Sequence, residues 1–292
     1  MVLQAFEYQR IKVRLLPDAF VIQGETGDKR INRSHLGDRN MKCIWEHNGN
    51  DTLLYSADCI GAYTRGESLE VAMGKMQAEI LAYTLWRNQS FSQDEKIEII
   101  QEKRSDLQIA DADSDIIFES EKLPISKDEY DELKSLVLKS AKDFYDLFQS
   151  VPDKEKSCIL PRKTFYGDVP RTAYEMYEHT KNVNSYYFGE IGIDIENDGT
   201  ILECREKGFE YLEQTKGYLD NAVVEGSYGE AWSLRKMMRR FLWHDRIHAK
   251  AMYKMAVKTF GPENIDNPFK FSIYYKSQFD FVFLIYRNVF DK

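Results

Sequence analysis

The amino-acid sequence predicts an α+β protein of two domains. A small antiparallel sheet with helices over residues 1–124 precedes a four-helix bundle over residues 125–292. Two observations on the spacing of apolar residues lead to this prediction. In the first part, short apolar runs alternate with turn residues, and their period of about two is typical of half-buried strands. From residue 126 the period becomes about 3.6, which is typical of amphipathic helices.

The first domain is expected to hold several short strands and two helices. Its clearest signal is a hairpin, because the apolar runs 41–46 and 52–57 flank a loop that contains Asn48-Gly49. Asn-Gly between two such runs is the strongest short-range hairpin signal. Ser68 and the acidic residues after it can open a helix. Further strands are expected at 8–16, 19–23 and 116–120, and a further helix over 94–104.

The second domain is expected to hold four amphipathic helices joined by connections of moderate length, which is the pattern of a helix bundle. Ser126 with Glu129, and Thr200 with Glu203, match the capping box that opens a helix. Proline near the start and glycine after the end support the other bounds. The four helices are expected to begin at Ser126, Pro170 (after Asp168), Thr200 and about Glu230, and the second and fourth to end at Gly189 and Thr259.

The composition is that of a globular protein with an acidic surface. Hydrophobic residues make up 43% of the chain and charged residues 30%, and the formal net charge is −8. This charge argues against broad binding to nucleic acid or to an anionic membrane, because both require a local excess of Lys and Arg. The four cysteines form no CxxC pair, so they match neither a zinc finger nor a disulfide framework.

The sequence also gives an expected compartment. Its first residues, MVLQAFEYQRIKVRL, lack the apolar region of a secretion signal. No stretch reaches the roughly 18 uninterrupted apolar residues of a membrane helix. The reducing cytoplasm, in which free cysteines persist, is therefore the expected compartment.

Three of the five histidines fall on predicted helices of the bundle. His244 and His248 are four residues apart, so their side chains stack on one helix face, and two imidazoles at this spacing can share one metal ion. His179 on the second helix could supply a third ligand. Histidines that only pack in a core give the same pattern, so spacing alone leaves both interpretations open. His35 and His47 fall in predicted loops and are interpreted as solvated.

Two segments carry a resemblance to a known family. WSLRKMMRRFLWHDRIHAKAM (232–252), together with YEHTKNVNSYYFGEI (177–191), is similar to the DinB/YfiT family of four-helix metalloproteins. In that family one histidine of the second helix and an HxxxH pair of the last helix bind a divalent metal ion. The resemblance covers about residues 126–260 and implies one such ion, and imidazole ligands suit Zn, Ni, Cu or Fe. The matching residues are His179, His244 and His248.

Three protein nitrogens would leave at least one coordination position of the metal open. An open position suits catalysis, whereas a structural zinc ion normally has four protein ligands. Each ligand ring is expected to be held by a hydrogen bond from its other nitrogen. Because the resembled family includes thiol-dependent S-transferases, an isomerase and hydrolase-like enzymes, the expected function is a metal-dependent enzyme that acts on a small molecule by thiol transfer or hydrolysis. The alternative is a non-catalytic regulatory or partner-binding protein with a structural or vestigial metal.

Two charged residues near the histidines are candidates for substrate binding. Glu175 lies four residues before His179 and could be a base or a fourth ligand. A Glu that only stabilises the helix dipole from the first turn is the alternative. Arg240 lies one turn before His244 and could clamp an anionic substrate. Pairing of this arginine with acidic groups at the surface is the alternative.

The first domain carries a second resemblance. The segment 55–86 contains G-x-Y-x-x-G-E-S-x-E-x-A between an expected strand and helix, and it resembles the HicB-like fold of antitoxins, a small α+β module with an antiparallel sheet. The likeness covers about residues 41–88. The sequence lacks the DNA-binding segment that many such antitoxins carry. The module is therefore expected to cap the bundle, to mediate dimerisation or to shape the entrance to the metal site.

The chain is expected to form a homodimer. Phe, Trp and Tyr make up 13% of the residues, both resembled families tend to self-associate, and two-fold pairing is the commonest form of soluble oligomer. Light scattering at micromolar concentration should give twice the mass of the chain. A monomeric mass would contradict this prediction.

Overall fold

The computed structural model describes residues 40–90, 96–111, 113–164 and 167–272. These residues form a small sheet followed by a mainly helical part, so the expected α+β class is confirmed. The strands expected at 8–16 and 19–23, and His35, lie outside the described residues. The described strands of the main sheet are β1 (Asn40–His47), β2 (Thr52–Ser56), β3 (Tyr63–Gly66) and β4 (Lys96–Arg104), and the described α-helices are α1 (Leu69–Trp86), α2 (Lys127–Ser150), α3 (Ala173–Gly189), α4 (Ile201–Glu213) and α5 (Leu234–Phe260).

The four-stranded sheet has the order β3-β2-β1-β4. The expected hairpin is confirmed, since β1 and β2 pair antiparallel with His47 opposite Thr52. The expectation of a purely antiparallel sheet is wrong, because β4 pairs parallel to β1, with a bulge between Cys43 and Ile44. Helix α1 explains the difference. It carries the chain back to the end of the sheet at which β1 and β3 begin, so the strand that follows runs in their direction.

Two further sequence expectations are wrong in this part of the chain. Residues 96–104 form the edge strand β4 rather than a helix; Ile97 and Ile99 pack partly buried against the core, and β1 supplies the backbone partners. Residues 116–120 contain no strand. Ile116 and Phe118 are buried, but the Ile116 carbonyl accepts a hydrogen bond from the Arg239 side chain, which takes the place of a strand partner.

The capping signals place most helix starts correctly. Ser68 caps α1, and the capping boxes of Ser126 and Thr200 open α2 and α4 as expected. Helix α3 begins at Ala173 rather than Pro170, because Thr172 and Glu175 form a third capping box. Helix α5 begins at Leu234, later than expected, because the residues before it pair as a short strand. The two-residue strands are β5 (Lys163–Thr164), β6 (Gly167–Asp168), β7 (Val224–Glu225) and β8 (Ala231–Trp232).

The four C-terminal helices pack against one another around an apolar core. Helices α2 and α3 each contact both α4 and α5. The core is continuous with the sheet, because Leu54 of β2, Met76 of α1 and Met237 of α5 belong to one cluster of buried side chains. The described residues lie within one compact unit, Asp38–Lys292. The domain boundary near residue 124 and the HicB-like and DinB-like architectures stay predictions. Among the described helices, none is long and apolar enough to cross a membrane.

A buried ion pair connects α1 to α5. Glu79 is 6% exposed, and its Oε1 accepts from Nη2 of Arg246 at 2.6 Å, while its Oε2 accepts from Nζ of Lys250 at 2.6 Å. Burial alone would raise the pKa of the Glu79 carboxyl, but the two cations hold that pKa below its ordinary value. The carboxylate therefore stays charged at neutral pH and offsets the buried guanidinium.

Replacing Glu79 with Gln tests the importance of this pair. The substitution keeps the size of the side chain and leaves the Arg246 guanidinium buried without a counter-charge. Breaking a buried pair in this way costs about 3–5 kcal/mol, and urea unfolding at pH 7 should show a loss of that size. Asp146→Asn, in an exposed pair with Lys142 on α2, is the control and should leave the unfolding midpoint unchanged. Equal midpoints for wild type and Glu79→Gln would contradict the prediction.

Candidate metal centre

The packing of α3 against α5 brings together the three histidines that the sequence singled out. His244 and His248 come from successive turns of α5, and His179 faces them from α3. The Nε2 atoms of His179 and His244 are 3.2 Å apart. Each of the three residues offers one ligand atom, and these atoms all lie within 4.8 Å of one another. The group could therefore hold a metal ion.

The spacing of the nitrogens fits a shared ion. Two nitrogens that bind one tetrahedral zinc ion at about 2.0–2.1 Å lie about 3.3 Å from each other. The Nε2–Nε2 distance of 3.2 Å between His179 and His244 matches this value. The same distance also allows a hydrogen bond between the two rings when one nitrogen carries a proton. The geometry thus suits a metal ion without requiring one.

Exposure to solvent differs among the three rings. His244 is 9% exposed and lies beneath the others, His248 is intermediate, and His179 is exposed. The group is thus anchored in the core at His244 and reaches the surface at His179. An ion held by the three rings would be accessible from the side of α3.

The surroundings keep the three imidazoles neutral. Burial lowers the pKa of His179 and lowers the pKa of His248 to about 3, with His179 contributing to the second shift. Burial also holds the pKa of His244 well below its usual range, aided by the two neighbouring histidines, Arg240 and Arg205. Because a metal ion binds the neutral imidazole, all three rings are in the ligating form at pH 7.

The expected hydrogen bond to the second nitrogen of each ligand ring is wrong for His244. The Nδ1 atom of His244 is buried and has no hydrogen-bond partner among the described residues, although a hydrogen bond from this nitrogen was expected to orient the ring. Packing holds the ring instead. The Tyr187 ring lies edge-on to His244 with a centroid distance of 6.0 Å, and the His248 ring lies at 4.5 Å.

The two candidate substrate-binding residues have other partners. The Glu175 carboxylate caps α3, since its Oε2 accepts from the backbone N of Arg171 at 2.8 Å and of Thr172 at 3.1 Å. Arg240 is 9% exposed, and its Nη1 donates to the Ser114 carbonyl at 2.7 Å. The Arg240 guanidinium also lies over three aromatic rings. Their roles in substrate binding stay predictions.

No other side chain of the described ranges completes the group. The cluster of potential ligands contains three histidines and no Cys, Asp or Glu. Cys158 is exposed, and Cys204 is buried with its Sγ donating to the Asp198 carbonyl at 3.3 Å. His47 also lies elsewhere. It ends β1 rather than standing in a loop, stacks on Trp45 and lies 3.0 Å from Glu102 Oε1, so its interpretation as a solvated loop residue is wrong.

The sequence reasoning missed a buried ion pair next to the histidines. Arg205 of α4 and Asp245 of α5 are both fully buried, and Nη1 of Arg205 donates to Oδ2 of Asp245 at 2.6 Å. Two signals in the sequence point to it. Asp245 immediately follows His244, and Arg205 lies on the apolar stripe of its helix, where a charged residue requires a partner.

Comparison with known proteins identifies no relative that would assign a function to this group of histidines. The chain matches no protein-family model, and no curated protein and no solved structure is significantly similar to it. The similarities to DinB/YfiT and HicB-like proteins therefore stay predictions from the quoted segments.

The lowered histidine pKa values predict how metal-free protein responds to acid. The folded state disfavours the protonated rings, so its stability is fully present above the unfolded pKa of about 6.5 and falls as pH drops below that value. Replacing His248 with Asn should reduce this loss by up to about 1.4 kcal/mol per pH unit below 6.5. Urea unfolding with a chelator present, between pH 8 and pH 4.5, measures the two slopes. Parallel slopes for wild type and variant would contradict the prediction.

Proposed function

We propose that this protein is a divalent-metal-dependent enzyme that acts on a small molecule, with the metal ion held by His179, His244 and His248. The observation that carries the proposal is the clustering of three ligand atoms within 4.8 Å without a fourth protein ligand from the described residues. Such a donor set leaves room for water or substrate at the ion. Catalytic zinc sites commonly have this composition, with three protein ligands and one open position.

The residues of the chain supply a prearranged ligand set. Helix α5 fixes two of the imidazoles one turn apart, and α3 adds the third from across the interface. The core around His244 excludes water from the inner side, while the exposed ring of His179 marks the side from which a small molecule could approach. When bound, the ion would lower the pKa of a coordinated water or thiol or polarise a carbonyl group.

The donor set narrows the choice of metal. Three neutral imidazoles suit Zn, Ni or Fe, and disfavour Mg and Ca, which prefer oxygen ligands. Thiol transfer and hydrolysis are the reactions proposed, because both use a metal that activates a nucleophile at an open position. The similarity of segments 177–191 and 232–252 to DinB/YfiT proteins supports the same choice.

One observation favours a second candidate function. A surface cleft of about 430 Å³ is lined by residues 189–192 and 224–227, and none of the three histidines contributes to it. A regulatory or partner-binding protein with a structural or vestigial metal could use this cleft, away from the ion, to receive its partner. The two candidate functions differ in whether the bound ion accepts an external ligand.

Metal uptake tests the site itself. Purified wild-type protein equilibrated with Zn or Ni at pH 7.5 and then desalted should retain one ion per chain. His248→Ala should retain none, because it removes one of the two ligands that α5 presets. His47→Ala removes a histidine outside the group and should retain the full amount. Elemental analysis measures all three proteins. A wild type without metal, or a His248→Ala variant with the full amount, would remove the basis of the proposal.

Cobalt-loaded wild-type protein separates the two candidate functions. An ion with an open position should change its visible absorption spectrum when a small thiol is added, because the thiolate replaces the exchangeable ligand. A spectrum that does not respond to thiol, azide or imidazole would indicate a closed site and favour the structural alternative.

A further inference from the structure

A fully buried polar cluster lies where the four C-terminal helices meet. Its centre is the guanidinium of Arg205 on α4, which has no exposure to solvent. Nη1 and Nη2 of Arg205 donate to Oδ2 and Oδ1 of Asp245 on α5, at 2.6 and 3.2 Å. Nε donates to Oδ1 of Asn184 on α3 at 3.0 Å. Nη1 also contacts the Val137 carbonyl of α2 at 3.4 Å.

This cluster joins the two helices that carry the histidines. Asp245 directly follows His244 and precedes His248 by three residues. Asn184 lies five residues after His179 on the same helix. One guanidinium therefore contacts both ligand-bearing helices within two turns of the ligands. Its rigid planar fork fixes the direction of each hydrogen bond, which a lysine ammonium would not do.

A contribution to the stability of the fold is a weak explanation for the buried Arg205–Asp245 pair. A buried ion pair is often no more stabilising than well-packed apolar residues of similar volume, because both charges lose their hydration. The better-supported use of buried polar groups is to fix one arrangement among several that apolar packing allows. Apolar contacts between α3 and α5 have no preferred direction, whereas the hydrogen bonds of Arg205 to Asn184 and Asp245 are directional and fit one relative placement of the two helices.

We infer that Arg205, with Asp245 and Asn184, is the positioning device of the metal centre. It sets α3 against α5 so that the His179 ring meets His244 and His248. The inference rests on the proposed metal site and adds how that site is held in its binding geometry. Since the His244 ring has no hydrogen bond from Nδ1 among the described residues, it relies on packing, and one of the rings that pack against it is Tyr187 of α3. The placement of α3 against α5 thus also affects the orientation of His244.

The test replaces the pair without leaving a buried charge. The variant Arg205→Met with Asp245→Leu keeps most of the side-chain volume at both positions and leaves no unpaired charge, so the protein should still fold. Its thermal midpoint should fall moderately, because Asn184 Oδ1 and the Val137 carbonyl lose the donor that Arg205 supplies. Its zinc affinity, measured by competition with a chelating dye, should fall by about 10-fold or more, as when groups behind metal ligands are removed. The absorption spectrum of bound Co²⁺ should also change, because it reports ligand geometry.

A matched control and a milder variant make the result decisive. Arg239→Met with Glu121→Leu removes another buried pair of α5, in which Arg239 donates to Glu121 and to the Ile116 carbonyl rather than to a residue of α3, and it should leave zinc affinity unchanged. Asn184→Ala keeps the Arg205–Asp245 pair and removes only the tie to α3. It should also lower zinc affinity. If the double variant does not fold, the zinc affinity of Asn184→Ala alone tests the positioning role.

The outcomes separate the two claims. If wild-type protein binds no metal, the metal centre fails and the positioning role fails with it. If wild type binds zinc, and a folded Arg205→Met/Asp245→Leu variant and Asn184→Ala both bind it with wild-type affinity and cobalt spectrum, the positioning role is overturned and the metal centre stands. Equal losses in the Arg239→Met/Glu121→Leu control would also overturn it, because they would show a general response to loss of a buried pair.

Discussion

Helix α5 depends on partners for the charged residues that it buries. A charge transferred from water into an apolar interior is unfavourable by several kcal/mol unless a counter-charge and hydrogen bonds accompany it. For three of the charged residues that α5 buries, a different neighbouring element supplies the counter-charge, so each pair also determines where that element lies. Helix α4, helix α1 and the segment before α2 are tied in this way to the same 27-residue helix. The pairs are Asp245 with Arg205 on α4, Arg246 with Glu79 on α1, and Arg239 with Glu121 before α2.

Local signals in the sequence predicted the parts of the fold that local interactions determine. Ser68, Ser126 and Thr200 cap helices because a side-chain oxygen meets a backbone N–H two or three residues away, and such contacts can be read from spacing. The hairpin of β1 and β2 likewise joins strands that are close together in sequence. The strand at 96–104 was not predictable in this way. Its sequence, KIEIIQEKR, places isoleucines at spacings that suit either a strand or a helix, and the free edge of β1, more than 50 residues earlier in the chain, decides between them.

In the metal site, too, local spacing predicts one part of the geometry, and contacts distant in sequence determine the rest. The stacking of His244 and His248 follows from four-residue spacing on one helix, so the sequence alone predicts it. The approach of His179 depends on how α3 lies against α5. Its place on a predicted bundle helix allowed this approach, and the resemblance to a known family suggested it more strongly. The burial of Arg240, which sits among aromatic rings and donates to the Ser114 carbonyl, depends on a loop distant in sequence. A side chain that the sequence suggests is available for substrate, such as Arg240, can thus be packed against other residues in the folded protein.

The contrast between exposed His179 and buried His244 has a consequence for how an ion would come and go. A ligand at the surface can rotate into water when its bond to the metal breaks, whereas a ring enclosed by the core cannot. His179 would therefore be the ligand with most freedom to turn away from an ion, while His244 and His248 on α5 would have less. A competing chelator would meet the ion from the α3 side, and the kinetic barrier to exchange would depend on how freely one imidazole on α3 can swing outward.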